Sequence, residues 1–153
     1  MDNEVFRQTY RDINERYCPY EKSLLTNQCR CSLSERFCIA EREGVLCRSD
    51  TAQQQCLDLL ELMRRQARFT LKLRGQASAL PHAQAMGIQV GGLRGIHRLL
   101  DPERPPPQPI PDIYATVEAA RLKFGTLEEM PFQEIIKEIA AYRGRRPRSL
   151  GRR

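Results

Sequence analysis

Apolar residues recur along much of the chain at helical intervals. Phe6, Tyr10, Ile13 and Tyr17 are spaced by four, three and four residues, one face of a helix that Asp2 or Asn3 can cap. Cys18-Pro19 ends that helix, because the residue before a proline is pushed out of helical geometry. Residues 19–31 read as a loop. Ser32 and Glu35 have capping-box spacing, so a second helix is expected from Ser32, with Phe37, Ile39 and Ala40 apolar and Gly44 as its stop.

Ser49-Asp50-Thr51 offers the next cap, and a long helix is expected over roughly 52–74, with Leu59, Leu60, Leu62, Met63, Ala67 and Leu71 toward the core. In 75–92, Pro81, Gly87, Gly91 and Gly92 are expected to interrupt any helix. Ile88 and Val90 alternate there as in a short extended piece, and Leu93 to Leu100 reads as a short helix.

Six of the ten prolines fall between Asp101 and Pro111, the composition of a stiff extended connector. Beyond it, Asp112 can cap a helix carrying Ile113, Val117, Ala120 and Phe124, closed by Gly125. Pro131 opens another with Phe132, Ile135, Ile136, Ile139 and Tyr142 on one stripe. The expected fold is mainly α: a small helical domain around a Cys-rich metal site (1–100), a Pro-rich linker (101–111), a C-terminal helical hairpin (112–142) and a basic disordered tail (143–153).

Charge alters this picture little. The formal net charge is +6, but Arg143, Arg145, Arg146, Arg148, Arg152 and Arg153 crowd the last residues, so the basic balance belongs to a terminal arm. That arm could meet nucleic acid or an acidic protein. The acidic start Met1-Asp2-Asn3-Glu4 is unlike a secretory signal, and no apolar run is long enough to span a membrane, so a cytoplasmic setting is expected.

The cysteines change the picture most. Cys18, Cys29, Cys31, Cys38, Cys47 and Cys56 all precede residue 57, and none follows. In a reducing compartment such a group reads as metal ligands or redox thiols before disulfides. The intervals of ten, one, six, eight and eight residues lack the paired knuckles of structural zinc, and His82 and His97 stand far downstream. Four thiolates on separate irons tolerate such spacing, which favours an iron–sulfur cluster, [4Fe–4S] first, with zinc as the alternative.

Cys18, Cys31, Cys47 and Cys56 are the expected ligands. Cys29 is the first reserve, and Cys38, between Phe37 and Ile39, is read as a small buried hydrophobe. Lys22, Arg30, Arg36, Arg42 and Arg48 could offset the cluster's charge. In thiol content the segment resembles small cysteine-clustered bacterial-type iron–sulfur proteins, although it has none of the common ferredoxin spacings.

No catalytic constellation stands out. His82 and His97 read as structural, and Gly91-Gly92-Leu93-Arg94-Gly95 as a tight turn, since it fits neither phosphate-binding pattern. The expected function is an accessory iron–sulfur protein for electron transfer or redox sensing, docking on a larger protein such as a redox enzyme. The alternative is a zinc-stabilised helical adaptor or nucleic-acid-binding regulator.

Overall fold

A computed structural model describes residues 16–70 and 81–143. The first expected helix lies outside these residues apart from its end, where Tyr17 is extended and bridges Leu46. A short helix α1 (Glu21–Leu25) interrupts the expected loop. Then come the strands β1 (Ser34–Ile39) and β2 (Arg42–Cys47), paired antiparallel from Ser34↔Cys47 to Ile39↔Arg42.

This hairpin replaces the expected second helix. Phe37 and Ile39 are spaced by two, as are Val45 and Cys47, and that is the period of a strand. The helix-forming Glu, Arg and Ala residues around them obscure it, as does a turn without glycine, in which Ala40 takes a φ of 56°.

The long helix α2 (Asp50–Gln66) starts where expected, with the Ser49 side chain accepting from the Ala52 N–H. Leu59, Leu62, Met63 and Ala67 are buried, and Leu71 lies outside the described residues. The expected interruption near residues 87–92 is absent. α3 (His82–Met86), a π-helical turn (Gly87–Gly91) and α4 (Gly92–Leu100) follow one another without a break.

The glycines serve close approach. α5 (Ile113–Phe124), a 3₁₀ turn (Leu127–Glu129) and α6 (Phe132–Ala141) complete the fold. A Cβ on Gly91 would stand 2.8 Å from the Ile139 Cα, and one on Gly95 would stand 2.6 Å from the Ile135 Cα. Glycine at these positions lets the backbones of the π-helical turn and α4 meet that of α6, an advantage that outweighs its poor helix propensity.

The proline-rich stretch is stitched to the body. The Ile110 N–H donates to the Gln28 carbonyl at 3.0 Å, and the Arg30 N–H donates to the Ile110 carbonyl at 2.9 Å. Ile110 is buried in one apolar cluster with Leu24, Val45, Leu59, Met63, Ile96, Val117, Ile135 and Ile139.

The expectation of a mainly α domain built around a Cys-rich metal site is therefore corrected. The fold is helical with a two-stranded antiparallel sheet, and its centre is apolar. Among the described residues no group of three or more His, Cys, Asp or Glu is arranged to hold a metal ion. No described helix is long and apolar enough to cross a membrane.

Candidate functional site

Backbone pairing sets the cysteines' positions. The Cys18 N–H donates to the Val45 carbonyl at 2.9 Å and the Cys47 N–H to the Arg16 carbonyl at 2.6 Å, so residues 16–18 lie antiparallel to β2 through an isolated bridge at Tyr17 and Leu46. Cys18 is thereby opposite Val45, and Cys47, two residues on, shares its face. The Cys47 thiol donates to the Ser49 carbonyl at 3.3 Å, just before α2 begins. One turn into that helix, Gln53 Nε2 donates to the Tyr17 carbonyl at 2.8 Å and draws the Cys56-bearing turn toward Cys18.

Cys31 is fixed from two sides. Its carbonyl accepts from the Ser34 N–H at 3.2 Å and the Ser34 hydroxyl at 2.8 Å, at the start of β1 opposite Cys47. On the other side stands the N-terminus of α5, whose first N–H groups have no partner within the helix. The Ile113 N–H donates to the Arg30 carbonyl at 2.8 Å, and the Tyr114 N–H hydrogen-bonds the Cys31 sulfur. Asp112 occupies the cap position foreseen for it but does not cap. Its carboxylate accepts from the Ser32 N–H at 3.0 Å and the Ser32 hydroxyl at 3.2 Å.

Cys18, Cys31, Cys47 and Cys56 influence one another electrostatically, although no three of them are arranged to hold a metal ion. Charge on Cys56, Cys31 or Cys47 would raise the pKa of Cys18, charge on Cys31 or Cys47 that of Cys56, and charge on Cys47 that of Cys31. Every pairing among Cys18, Cys31, Cys47 and Cys56 is thus within electrostatic reach. Burial dominates the ionisation of three of them: it drives Cys18 far up, Cys56 up to about 12, and raises Cys31. Opposing it, the Tyr20 N–H hydrogen-bonds the Cys18 sulfur, and the Leu33 and Tyr114 N–H groups hydrogen-bond the Cys31 sulfur. Cys18, Cys31 and Cys56 are therefore protonated near neutral pH, while the backbone donors are already aimed at the sulfurs of Cys18 and Cys31.

The other two cysteines stand apart. Cys29 is buried at 1% exposure, pushed up to about 12 by burial, and within reach of the Ser23 hydroxyl and of Cys31. Cys38 is exposed in β1 opposite Glu43, which corrects its reading as a buried hydrophobe.

Tyr20 belongs to this neighbourhood although nothing in its spacing marked it. It is 0% exposed, and its hydroxyl has no hydrogen-bond partner among the described residues. An unsatisfied buried hydroxyl costs about 1–3 kcal/mol. Burial first, then Cys56, Cys29 and Cys18, hold its phenol well above the ordinary range.

Gln89, buried in the π-helical turn, braces the same corner. Its Oε1 accepts from the Ser23 hydroxyl at 2.5 Å, and its Nε2 donates to the Pro19 carbonyl at 3.5 Å.

The histidines lie elsewhere. His82 is exposed on an open cavity of about 810 Å³ with Leu25, Asn27, Met86 and Tyr142. His97 contacts Thr116 Oγ1 at 3.0 Å; because that hydroxyl donates to the Asp112 carbonyl at 2.8 Å, the imidazole proton is assigned to Nε2. Burial, then Arg94, lowers the His97 pKa from its ordinary value. The arginine-rich residues beyond Arg143 lie outside the described residues.

Comparison with protein-family models, with curated proteins and with solved structures finds no match.

Proposed function

We propose that the chain is an accessory iron–sulfur protein, carrying an electron or sensing redox state through a cluster bound by Cys18, Cys31, Cys47 and Cys56. The observation that carries this reading is the confinement of all six cysteines to residues 18–56, where backbone pairing sets Cys18 opposite Val45 on β2, on the face of Cys47, and Cys31 just ahead of β1, whose first residue pairs with Cys47. A single zinc ion needs its sulfurs about 2.3 Å from one centre. A [4Fe–4S] core spreads its four thiolates over separate irons, so a looser grouping suits it.

The backbone donors on the sulfurs of Cys18 and Cys31 favour bound thiolate over free thiol, as does the positive N-terminus of α5. Loading replaces buried thiol protons with iron, so uptake releases protons. A larger redox protein is the proposed partner and the cytoplasm the proposed setting, consistent with six free thiols.

Anaerobic purification tests the reading. The chain is expected to be brown, with broad visible absorption and about four irons and four sulfides per chain. Cys18→Ser, Cys31→Ser, Cys47→Ser and Cys56→Ser should each lose most of that iron, whereas Cys38→Ser should keep it. Colourless protein with stoichiometric zinc, or full occupancy in the Cys47→Ser and Cys56→Ser chains, would overturn it.

A further inference from the structure

We propose that the cavity lined by the turn after α1, by α3 and by the end of α6 binds a small aromatic anion, with a carboxylate-like head on a flat apolar body. This inference goes beyond the iron–sulfur reading and does not depend on it.

The cavity's volume of about 810 Å³ suits a small molecule, since ligand pockets run from roughly 300 to 1,000 Å³. Its apolar wall includes Leu25, Ala83 and Met86. Ala83 and Met86 are three residues apart in α3 and so share a face, and Met86 is buried. A methionine thioether adapts to irregular shapes and contacts aromatic rings favourably. Tyr142 adds a half-buried ring.

The polar lining has one sign. Arg143 is its permanent charge, and among the described residues no Asp or Glu lines the cavity. The Arg143 side chain folds back on the end of α6, where Nη1 donates to the Ala140 carbonyl at 2.7 Å and to the Tyr142 carbonyl at 3.3 Å. Both bonds use one nitrogen of a planar fork with five N–H donors, a group that pairs bidentately with carboxylates. Asn27 follows α1 at a φ of 61°, and its Oδ1 accepts from Arg36 Nη2 at 3.4 Å, so its amide offers N–H donors to the lining. His82, in the first turn of α3, can donate as well.

These features select a ligand class. A cation would meet Arg143 with no carboxylate to offset it. A wholly apolar molecule would strip water from the guanidinium and replace it with nothing. An aromatic anion satisfies the donors with its head and the Leu25, Ala83 and Met86 wall with its body.

The test is fluorescence titration of the full chain with anilinonaphthalenesulfonate, an aromatic anion, and with N-phenylnaphthylamine, which has the same rings and no charge. One molecule of the anion is expected to bind per folded chain, more tightly than the neutral probe, and naphthoate should displace it. Arg143→Gln should weaken the anion about tenfold, the size of a modest charge-assisted hydrogen bond, and leave the neutral probe unmoved. Arg104→Gln removes the same charge from an exposed position outside the cavity and should change neither. Ala83→Trp fills the cavity and should abolish binding of both.

If Ala83→Trp does not fold, Arg143→Gln decides, because it alters an exposed side chain beyond α6. No binding of the anion, or equal binding in the wild-type, Arg143→Gln and folded Ala83→Trp chains, overturns the site. A neutral probe that binds as tightly as the anion overturns the charge assignment, and octanoate displacing the anion as well as naphthoate does overturns the aromatic one. The iron–sulfur reading stands or falls on iron and sulfide content, so the two fail separately.

Discussion

The pairing of α4 with α6 and the pairing of Cys18 with β2 are both close approaches of backbone, reached by opposite means. Between the helices, side chains are removed: Gly91 and Gly95 stand where a methyl group would strike the backbone of Ile139 or Ile135. Around the thiols, the chain is held by hydrogen bonds, those of Arg16, Cys18 and Gln53 on one side and of Gln28 to Ser32 on the other. The first contact is specified by shape and tolerates no added volume. The second is specified by donors and acceptors, and its interior holds protonated sulfur and an unsatisfied phenol. One region is energetically finished; the other retains a buried phenol that has no hydrogen-bond partner among the described residues.

The largest effect is expected where shape alone decides. Gly95→Ala should cost about 2–3 kcal/mol in urea unfolding, since its Cβ would stand 2.6 Å from the Ile135 Cα and the helices must part. A cost no larger than that of an ordinary surface substitution would show that the seam has slack, and the contrast with the thiol region would collapse.

A smaller, opposite effect is expected in the hairpin. Ala40 is held at a φ of 56°, a left-handed conformation that disfavours any residue with a Cβ. Ala40→Gly should stabilise the fold by about 0.5–1 kcal/mol. A loss of stability in the same urea assay would contradict the turn geometry, and with it the register that places Ser34 opposite Cys47.

The smallest effect concerns His97. Its folded pKa is lowered from 6.5, by burial first and then Arg94, so the unfolded chain binds the proton more readily. Stability should therefore be unaffected by this residue above about pH 6.5, decline as the pH falls through the lowered folded value, and then level off. His97→Gln should flatten that part of the pH–stability curve, and an unchanged curve would show that the imidazole titrates freely.

The helical elements were the most legible in the sequence. Ser49 caps α2 as its residue type suggests, and Ile135 and Ile139 lie on a buried stripe in α6. What was misread had a local signal pointing the wrong way. Gly87, Gly91 and Gly92 are poor helix formers, and only the α6 backbone lying against Gly91 and the Met63 side chain of α2 lying against Gly92 explain why the helix contains the last two. Glu35, Arg36 and Ala40 favour a helix, and the period of two at Phe37 and Ile39 was too short to prevail.

At the candidate site, the confinement of the cysteines before residue 57 was plain, whereas the site's supporting cast was not. Tyr20 looked like any aromatic beside a proline. Tyr114 contributes a backbone N–H, which no side-chain pattern can signal. Ser32 and Asp112 are 80 residues apart, and both have the composition of caps although neither serves as one.

The stitching of residues 28–32 to residues 110–114 also fixes an order of events. During synthesis Cys18, Cys47 and Cys56 can be brought together by β2 and α2 soon after those segments emerge. Cys31 acquires the Tyr114 N–H, and its neighbours the Ile110 and Ile113 contacts, only when a segment made some 80 residues later arrives. Contacts of such long separation form late, because a large loop must close before they contribute. Cys31 is thus locked in last, only after the segment that leads into α5 has been translated.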